Sequence, residues 1–227
     1  MYRNKTVSVV IPCYNEEEGI RYVIGKMPEF VDEVVVVDNN CTDRTAEVAR
    51  ELGAVVVFEG RKGYGRAYRT GIPAAKSDIV VTMDGDGTYP VEEIQPTLDY
   101  LMDKDLHFVT ASRFPLKQKG SMHTINQLGN WALTVATMVL FLRKIRDSQS
   151  GMWAFYSWVY PKLGLECDGM DFSGEIKLEA ILNKEVRFGE SHIDYHPRIG
   201  EVKLNMWQDG WMDVVWLLKR RLRRKGQ

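Results

Sequence analysis

Apolar and polar positions follow one another along this chain in a repeating order: a short β-branched run, a turn, then a stretch with apolar residues three and four apart. Val7 to Pro12, Glu33 to Val37, Ala54 to Phe58, Ile79 to Met83 and His107 to Ser112 are the short runs. Their near-continuous apolar character is that of strands covered on both faces. After Asn15, a residue suited to capping a helix, Ile20, Val23, Ile24 and Met27 form one inner face, and Glu16, Glu17 and Glu18 supply first-turn acids. Further helices run toward Gly53, Ala75 and Met102. Strands alternating with helices predict a parallel, doubly wound α/β sheet with the strand ends gathered on one rim.

The pattern changes after Ser112. Thr124 to Arg146 is a long helical candidate carrying Trp131, Leu133, Val135, Met138, Val139, Phe141 and Leu142 around most of its circumference. Such a helix is buried, paired with a second subunit or a membrane-anchor partner, or dipped into lipid. Asp147 to Gly151 breaks it; Met152 to Tyr156 resumes as strand, Gly174 to Leu182 as helix and Val186 to Tyr195 as strand. A charged loop, Arg198 to Lys203, precedes a last helix from about Asp209 to Arg224. With Trp207, Trp211, Val214, Val215, Trp216, Leu218, Leu222 and a run of cations, that helix suits an anionic membrane surface; the competing reading is a core-packed helix with a solvated end. The expected organisation is a globular unit over residues 1–204, with an interfacial helix at 124–146, and a basic amphipathic helix over residues 205–227.

Charge sharpens this division. Lys219, Arg220, Arg221, Arg223, Arg224 and Lys225 are six of the thirty basic residues, which leaves 24 basic against 31 acidic residues in the chain as a whole. An acidic body without a recognised binding module argues against nucleic acid as a partner. Cys13, Cys41 and Cys167 lack metal-ligand spacing and predict reduced thiols in a cytosolic compartment. Residues 2–12 lack the apolar core of a signal peptide. The longest apolar run, Trp131 to Leu142, has twelve residues, against the roughly 20 that span a bilayer. The expected location is cytoplasmic, peripheral on the cytoplasmic face of a membrane.

The chemistry concentrates where the fourth apolar run ends, in Asp84-Gly-Asp86-Gly87. Ligands of open α/β sheets collect at the carboxyl ends of strands, and two carboxylates on a glycine-rich turn suit Mg2+ or Mn2+ bridging to phosphate. A calcium hand is excluded, since its sixth position would be Tyr89 in place of Gly and its twelfth Gln95 in place of Glu. Gly60 to Gly65 is a basic glycine loop, but it follows the third strand and has Tyr68 where a dinucleotide fingerprint needs its last Gly. Asn15, Asp38, Asp84, Asp86 and Arg113 are expected on a shared rim.

Several segments in order resemble the family 2 glycosyltransferases of the GT-A fold, and among them the dolichol- or polyprenyl-phosphate sugar synthases. Ile11-Pro-Cys-Tyr-Asn-Glu16 resembles that family's Pro-x-Tyr-Asn-Glu, and Val37-Asp-Asn-Asn-Cys-Thr-Asp43 is similar to its Asp-Asp-Gly-Ser-x-Asp element. Gly63-Tyr-Gly-Arg-Ala67 is similar to Gly-x-Gly-x-Ala, Asp84-Gly-Asp86 to Asp-x-Asp, and Ala111-Ser-Arg-Phe114 to Gly-Ser-Arg-Tyr. Asp147 to Gly151 and Arg198 to Lys203 are similar to two further family elements, Asp-x-x-x-Gly and Arg-x-Gly-x-Ser-Lys. The resemblance implies a Rossmann-like, mostly parallel sheet flanked by helices, and inverting transfer of a sugar from a GDP- or UDP-linked donor to a polyprenyl or dolichyl phosphate. Pro12, Tyr14, Glu16, Asp38, Asp84 and Gly85 would then contact the nucleotide sugar, and Asp86, with Asp84, would hold Mg2+ or Mn2+. Arg113, Arg198 and Lys203 would meet phosphates, and Glu175 would be the general base or would orient the sugar. The chain departs from the family at Asn39, Asn40 and Cys41, at Thr88, where relatives can carry Gln, and at Val202, where Ser is usual. Two alternatives share the donor site: transfer to a hydroxyl of a glycan or glycolipid, and a non-catalytic nucleotide-sugar binding module.

Overall fold

A computed structural model describes residues 1–118, 120–200 and 206–224, with backbone alone at 206–209 and 224. Seven strands form one sheet: β1 (Val7–Cys13), β2 (Glu33–Asp38), β3 (Val55–Phe58), β4 (Ile79–Thr82), β5 (Phe108–Ser112), β6 (Trp153–Tyr156) and β7 (Phe188–His192). The helices are α1 (Glu17–Gly25), α2 (Thr45–Glu51), α3 (Tyr64–Ala74), α4 (Ile94–Asp103), α5 (Thr124–Phe141), α6 (Phe172–Leu182) and α7 (Met206–Arg224). The sheet order is β3-β2-β1-β4-β6-β5-β7. Strands β1 to β4 pair in parallel, as the alternating pattern predicts. The departure is β6, which inserts antiparallel between β4 and β5. Running against both neighbours, it leaves β5 pointing the same way as β4, so the rim expected from the sequence survives the insertion.

Period-two alternation sorts the core. Val7, Val9 and Ile11 of β1 and Val36 of β2 enter one apolar cluster with Ile20 and Val23 of α1 and Ile94 and Leu98 of α4. Val10, Val35 and Val37 enter a second cluster with Tyr68 and Ile72 of α3 and Phe172 and Ile176 of α6. Both faces of the central strands are therefore covered, which is why their sequences lack polar alternation. The edge strand β3 is less protected, and Phe58 is 64% exposed.

Three local expectations change. Asn15 does not cap α1: its backbone has φ +54°, and its side-chain oxygen accepts the Thr42 N–H at 2.7 Å, tying the β1 lip to the loop after β2. Helix α5 stops at Phe141, five residues short of Arg146, because Leu142 turns left-handed at φ +53°. The last helix packs back on the body: Leu217 is buried with Phe141 and Leu178, and Arg220 is paired with Glu179 on α6. The boundary expected between residues 204 and 205 lies outside the described residues.

Candidate active site

β4 delivers Met83, fully buried, and then Asp84 and Asp86 to the C-terminal edge of the sheet. Thr88 locks the turn, its backbone N–H and hydroxyl both donating to Asp86 Oδ1 at 3.0 and 2.7 Å. Thr88 thus orients the neighbouring carboxylate. From below, α1 presses on the turn at Gly19, where a Cβ would collide with the Gly85 carbonyl. Gly85 in turn lies over Cys13, whose Sγ is 2.7 Å from where a Cβ would stand.

Asp84 is gripped from the other side. The Tyr64 hydroxyl at the start of α3 donates to its Oδ1 at 3.2 Å. Gly151 backs the same carboxylate: a Cβ there would stand 3.3 Å from Asp84 Oδ1 and would collide with the Tyr64 hydroxyl. Gly151 is itself fixed, since its N–H donates to the Tyr89 hydroxyl at 2.6 Å and its carbonyl accepts from the Thr82 hydroxyl at 3.0 Å. Burial, and then the charge of Asp86, raise Asp84 to about 7, against the opposing pull of Tyr64, Arg198 and Arg113. The two carboxylates, hard oxygen donors on one turn, form a recess suited to a divalent cation. Among the described residues no group of three or more His, Cys, Asp or Glu side chains could hold a metal. Asp84 and Asp86 are the residues that would hold Mg2+ or Mn2+ here.

Arg198 crosses this recess. Its Nη1 lies 3.2 Å from Asp86 Oδ2, and its Nη2 pairs with Glu16. Glu16, expected among the nucleotide contacts, is buried at the start of α1 and ion-paired with Arg198. A carboxylate so close to a second acidic group needs a counter-charge, and Arg198 supplies it. The segment bearing Arg198 is docked by backbone hydrogen bonds: the His196 N–H donates to the Thr88 carbonyl and the Ile199 N–H to the Asp86 carbonyl, each at 2.9 Å.

The expected donor side assembles at the ends of β1 and β2. Pro12 pairs with Val37, and Asp38 closes a turn by accepting the Cys41 N–H at 2.8 Å. The departure at Asn39 has a structural use. Its amide donates to the Glu59 and Arg61 carbonyls at 3.1 and 2.8 Å and accepts the Gly63 N–H at 2.9 Å, folding the basic glycine loop against the β2 lip. An acidic side chain could accept but not donate, so Asn suits this clamp. Lys62 of that loop lies 4.1 Å from the Tyr14 ring centroid and donates to its hydroxyl.

Two expected roles meet competing contacts. Arg113 is buried and bound to Asp147 through Nε and Nη2 at 2.7 and 2.9 Å, a pair that holds Asp147 down at about 2 despite burial. Its guanidinium braces the loop after α5, since a buried cation requires a carboxylate. Glu175 is 4% exposed, and its two oxygens accept the Glu166 and Cys167 N–H groups at 3.0 and 2.9 Å. Burial raises it above the usual carboxylate range. It holds the 166–169 segment, whose Asp168 and Gly169 carbonyls accept the first N–H groups of α3. Lys203 and Val202 lie outside the described residues.

Residues that pattern reading passed over complete the site. Tyr64 lies within the glycine loop, and its hydroxyl is the signal there. Tyr89 and Lys177 offered none. Lys177 is fully buried in α6, donates to the Ser150 carbonyl at 2.6 Å and to Ser173 at 3.2 Å, and is pushed down to about 7 by burial.

Comparison with known proteins places the chain in a family. The family described as Glycosyl transferase family 2 matches residues 8–155. A dolichyl-phosphate hexose transferase of Haloferax volcanii is 31% identical over 212 residues, covering 92% of this chain and 91% of the relative. The low-salt glycan biosynthesis hexosyltransferase Agl6 of the same organism is 34% identical over 220 residues, but this chain, 94% of it aligned, spans 53% of that protein's length. Among solved structures, glucosyl-3-phosphoglycerate synthase from Mycobacterium tuberculosis, in complex with Mn2+, UDP-glucose and phosphoglyceric acid, superposes with a TM-score of 0.76, covering 96% of this chain and 80% of that one. At 23% identity this likeness speaks for the fold alone. Sheet order, the aspartate lip of β4 and a family match over most of the length converge: the chain belongs to glycosyl transferase family 2.

Proposed function

We propose that the protein transfers a sugar, with inversion, from a nucleoside diphosphate sugar to a polyprenyl phosphate at a membrane surface. The observation that carries this reading is the recess at the end of β4, where Asp84 and Asp86 converge and a single arginine crosses. When bound there, Mg2+ or Mn2+ supplies Lewis-acid stabilisation of charge on the departing diphosphate. Asp86 and Asp84 would hold it, in orientations set by Thr88 and Tyr64. Arg198 presents a guanidinium at the same lip, where a preformed donor to developing charge is most effective.

The engagement of Glu175 supports the acceptor assigned here. Glu175 directs both oxygens at backbone N–H groups, and this supports an acceptor that arrives ionised. The dolichyl-phosphate hexose transferase relative supports the same class. A peripheral membrane position is supported by the exposed apolar residues of α5 and α7; among the described residues no helix is long and apolar enough to cross a membrane.

Purified protein incubated with labelled UDP- and GDP-sugars should transfer label to short polyprenyl phosphates in preference to free glycans. Asp86→Ala should lower that rate ~10²-fold or more while leaving the unfolding temperature close to that of the parent. Transfer to glycan hydroxyls with none to the lipid phosphate would overturn the acceptor assignment, and unchanged metal-dependent rates in the variant would overturn the site.

A further inference from the structure

Arg198 engages one of the two carboxylates that a cation would need. Its Nη1 is on Asp86 Oδ2 and its Nη2 on Glu16, while Asp86 Oδ1 is taken by Thr88, so both oxygens of the lip carboxylate are engaged. A divalent ion and a guanidinium cannot share Asp86 Oδ2 closely without strong like-charge repulsion. The arginine also makes less than its full complement of bonds in this position, since its Nε is buried without a hydrogen-bond partner among the described residues. A planar guanidinium with an unsatisfied edge suits an oxyanion that takes two N–H groups at once. The backbone around Arg198 is fixed on the 86–88 turn by the His196 and Ile199 hydrogen bonds. The side chain can therefore change partners while its segment stays docked.

We propose that Arg198 is an exchangeable counter-ion. Without ligand it neutralises Asp86 and Glu16 and keeps the recess closed to a free divalent cation. When a nucleoside diphosphate arrives with its cation, Arg198 leaves the carboxylates for the diphosphate, and Asp86 is released to the cation. Cation and nucleotide then bind with positive coupling, each raising the other's affinity by the same factor. No covalent bond changes in this step; the pairs of Arg198 with Asp86 and Glu16 give way to a pair between Arg198 and the diphosphate and one between Asp86 and the cation. The inference rests on the donor-site reading above, but it concerns binding order and is tested apart from transfer.

The experiment is Mn2+ binding followed by electron paramagnetic resonance, with and without UDP or GDP, for the parent and for Arg198→Ala, Arg198→Gln and Arg198→Lys. Circular dichroism confirms folding, and the Gln variant decides if the Ala variant is unfolded. Without nucleotide, the Ala and Gln variants should bind Mn2+ about tenfold or more tightly than the parent, the scale on which a nearby opposite charge acts on a carboxylate. Arg198→Lys, which retains the charge, should stay near the parent. In the neutral variants the factor by which nucleotide improves Mn2+ affinity should shrink. Equal Mn2+ affinity in parent and neutral variants without nucleotide overturns the exchange, as does an equal gain in the Lys variant. A parent that binds no Mn2+ even with saturating UDP and GDP overturns the donor-site reading itself, so the two failures are distinguishable.

Discussion

Gly151 helps to set the position of Asp84, and nothing in its own chemistry reveals this. Its α-carbon faces the Asp84 carboxylate, and a methyl group there meets the Tyr64 hydroxyl. Tyr89 and Thr82 hold the Gly151 backbone from opposite sides, so the main chain has little room to retreat. Gly151→Ala should therefore push Tyr64 off Asp84 and lower sugar transfer at least tenfold, since small misplacements at a reacting centre cost that much or more. Overpacking of this kind costs roughly 1–3 kcal/mol of stability. Steady-state kinetics beside thermal unfolding check the expectation; full activity in a folded variant would remove Gly151 and Tyr64 from the set that positions Asp84. Asn39 offers a similar lesson. From sequence it is a departure from a family element, whereas in the fold it is the clamp that seats the glycine loop.

At the scale of elements, α5 and α7 each carry two faces with different work. On α7, Asp213, Leu217 and Arg220 face inward, with Arg220 paired to Glu179, while Trp211, Leu218 and Leu222 lie on the opposite side, 69%, 49% and 69% exposed. On α5, Thr134, Thr137 and Phe141 are buried, and Ile125, Leu128, Trp131 and Val139 are exposed. The packing reading of the last helix holds for one stripe, and a second, apolar stripe is left exposed, because one helix can pack by one stripe and present another. Arg220 is committed to Glu179, which reduces the cations available to a lipid surface. Replacing Trp211, Leu218 and Leu222 together by Ser should weaken sedimentation with anionic liposomes and leave the unfolding temperature nearly unchanged. Each remaining basic residue contributes about 1 kcal/mol near such a surface, so high salt should weaken binding too. Equal sedimentation of parent and triple variant would return α7 to a packing role alone.

At the scale of the whole molecule, the Arg113–Asp147 pair joins the end of β5 to the loop behind the site, and its energetics depend on pH in a definite direction. Arg113 holds Asp147 at about 2, below the ordinary value of 3.8. A depressed carboxylate stabilises the fold above its unfolded value, and that contribution is lost as pH falls toward 2. Arg113→Met leaves a buried charge unpaired and should cost about 3–5 kcal/mol at pH 7. The difference from the parent should shrink between pH 5 and pH 3, as Asp147 becomes protonated in the unfolded chain. Urea unfolding across that range checks it, and a pH-independent difference would mean that Arg113 acts through packing.

The same molecule shows where sequence reading ends. Local pattern alone determined the parallel strands β1 to β4, their helices and the aspartate lip, because period-two and period-3.6 burial is written in neighbouring residues and needs no partner to be read. The placement of Asp38, Asp84 and Asp86 on one rim follows from strand direction, which the alternation also carries. Tertiary structure decided the insertion of β6, the capture of Arg113 by Asp147, the engagement of Glu175 with backbone N–H groups and the position of Arg198 between Glu16 and Asp86. Most of these join residues distant along the chain, 182 positions apart for Glu16 and Arg198, and even Glu175 reaches back 9 positions to Glu166. A charged side chain that folding buries must take whatever partner topology brings within reach, and a linear pattern of charges does not specify which one that is.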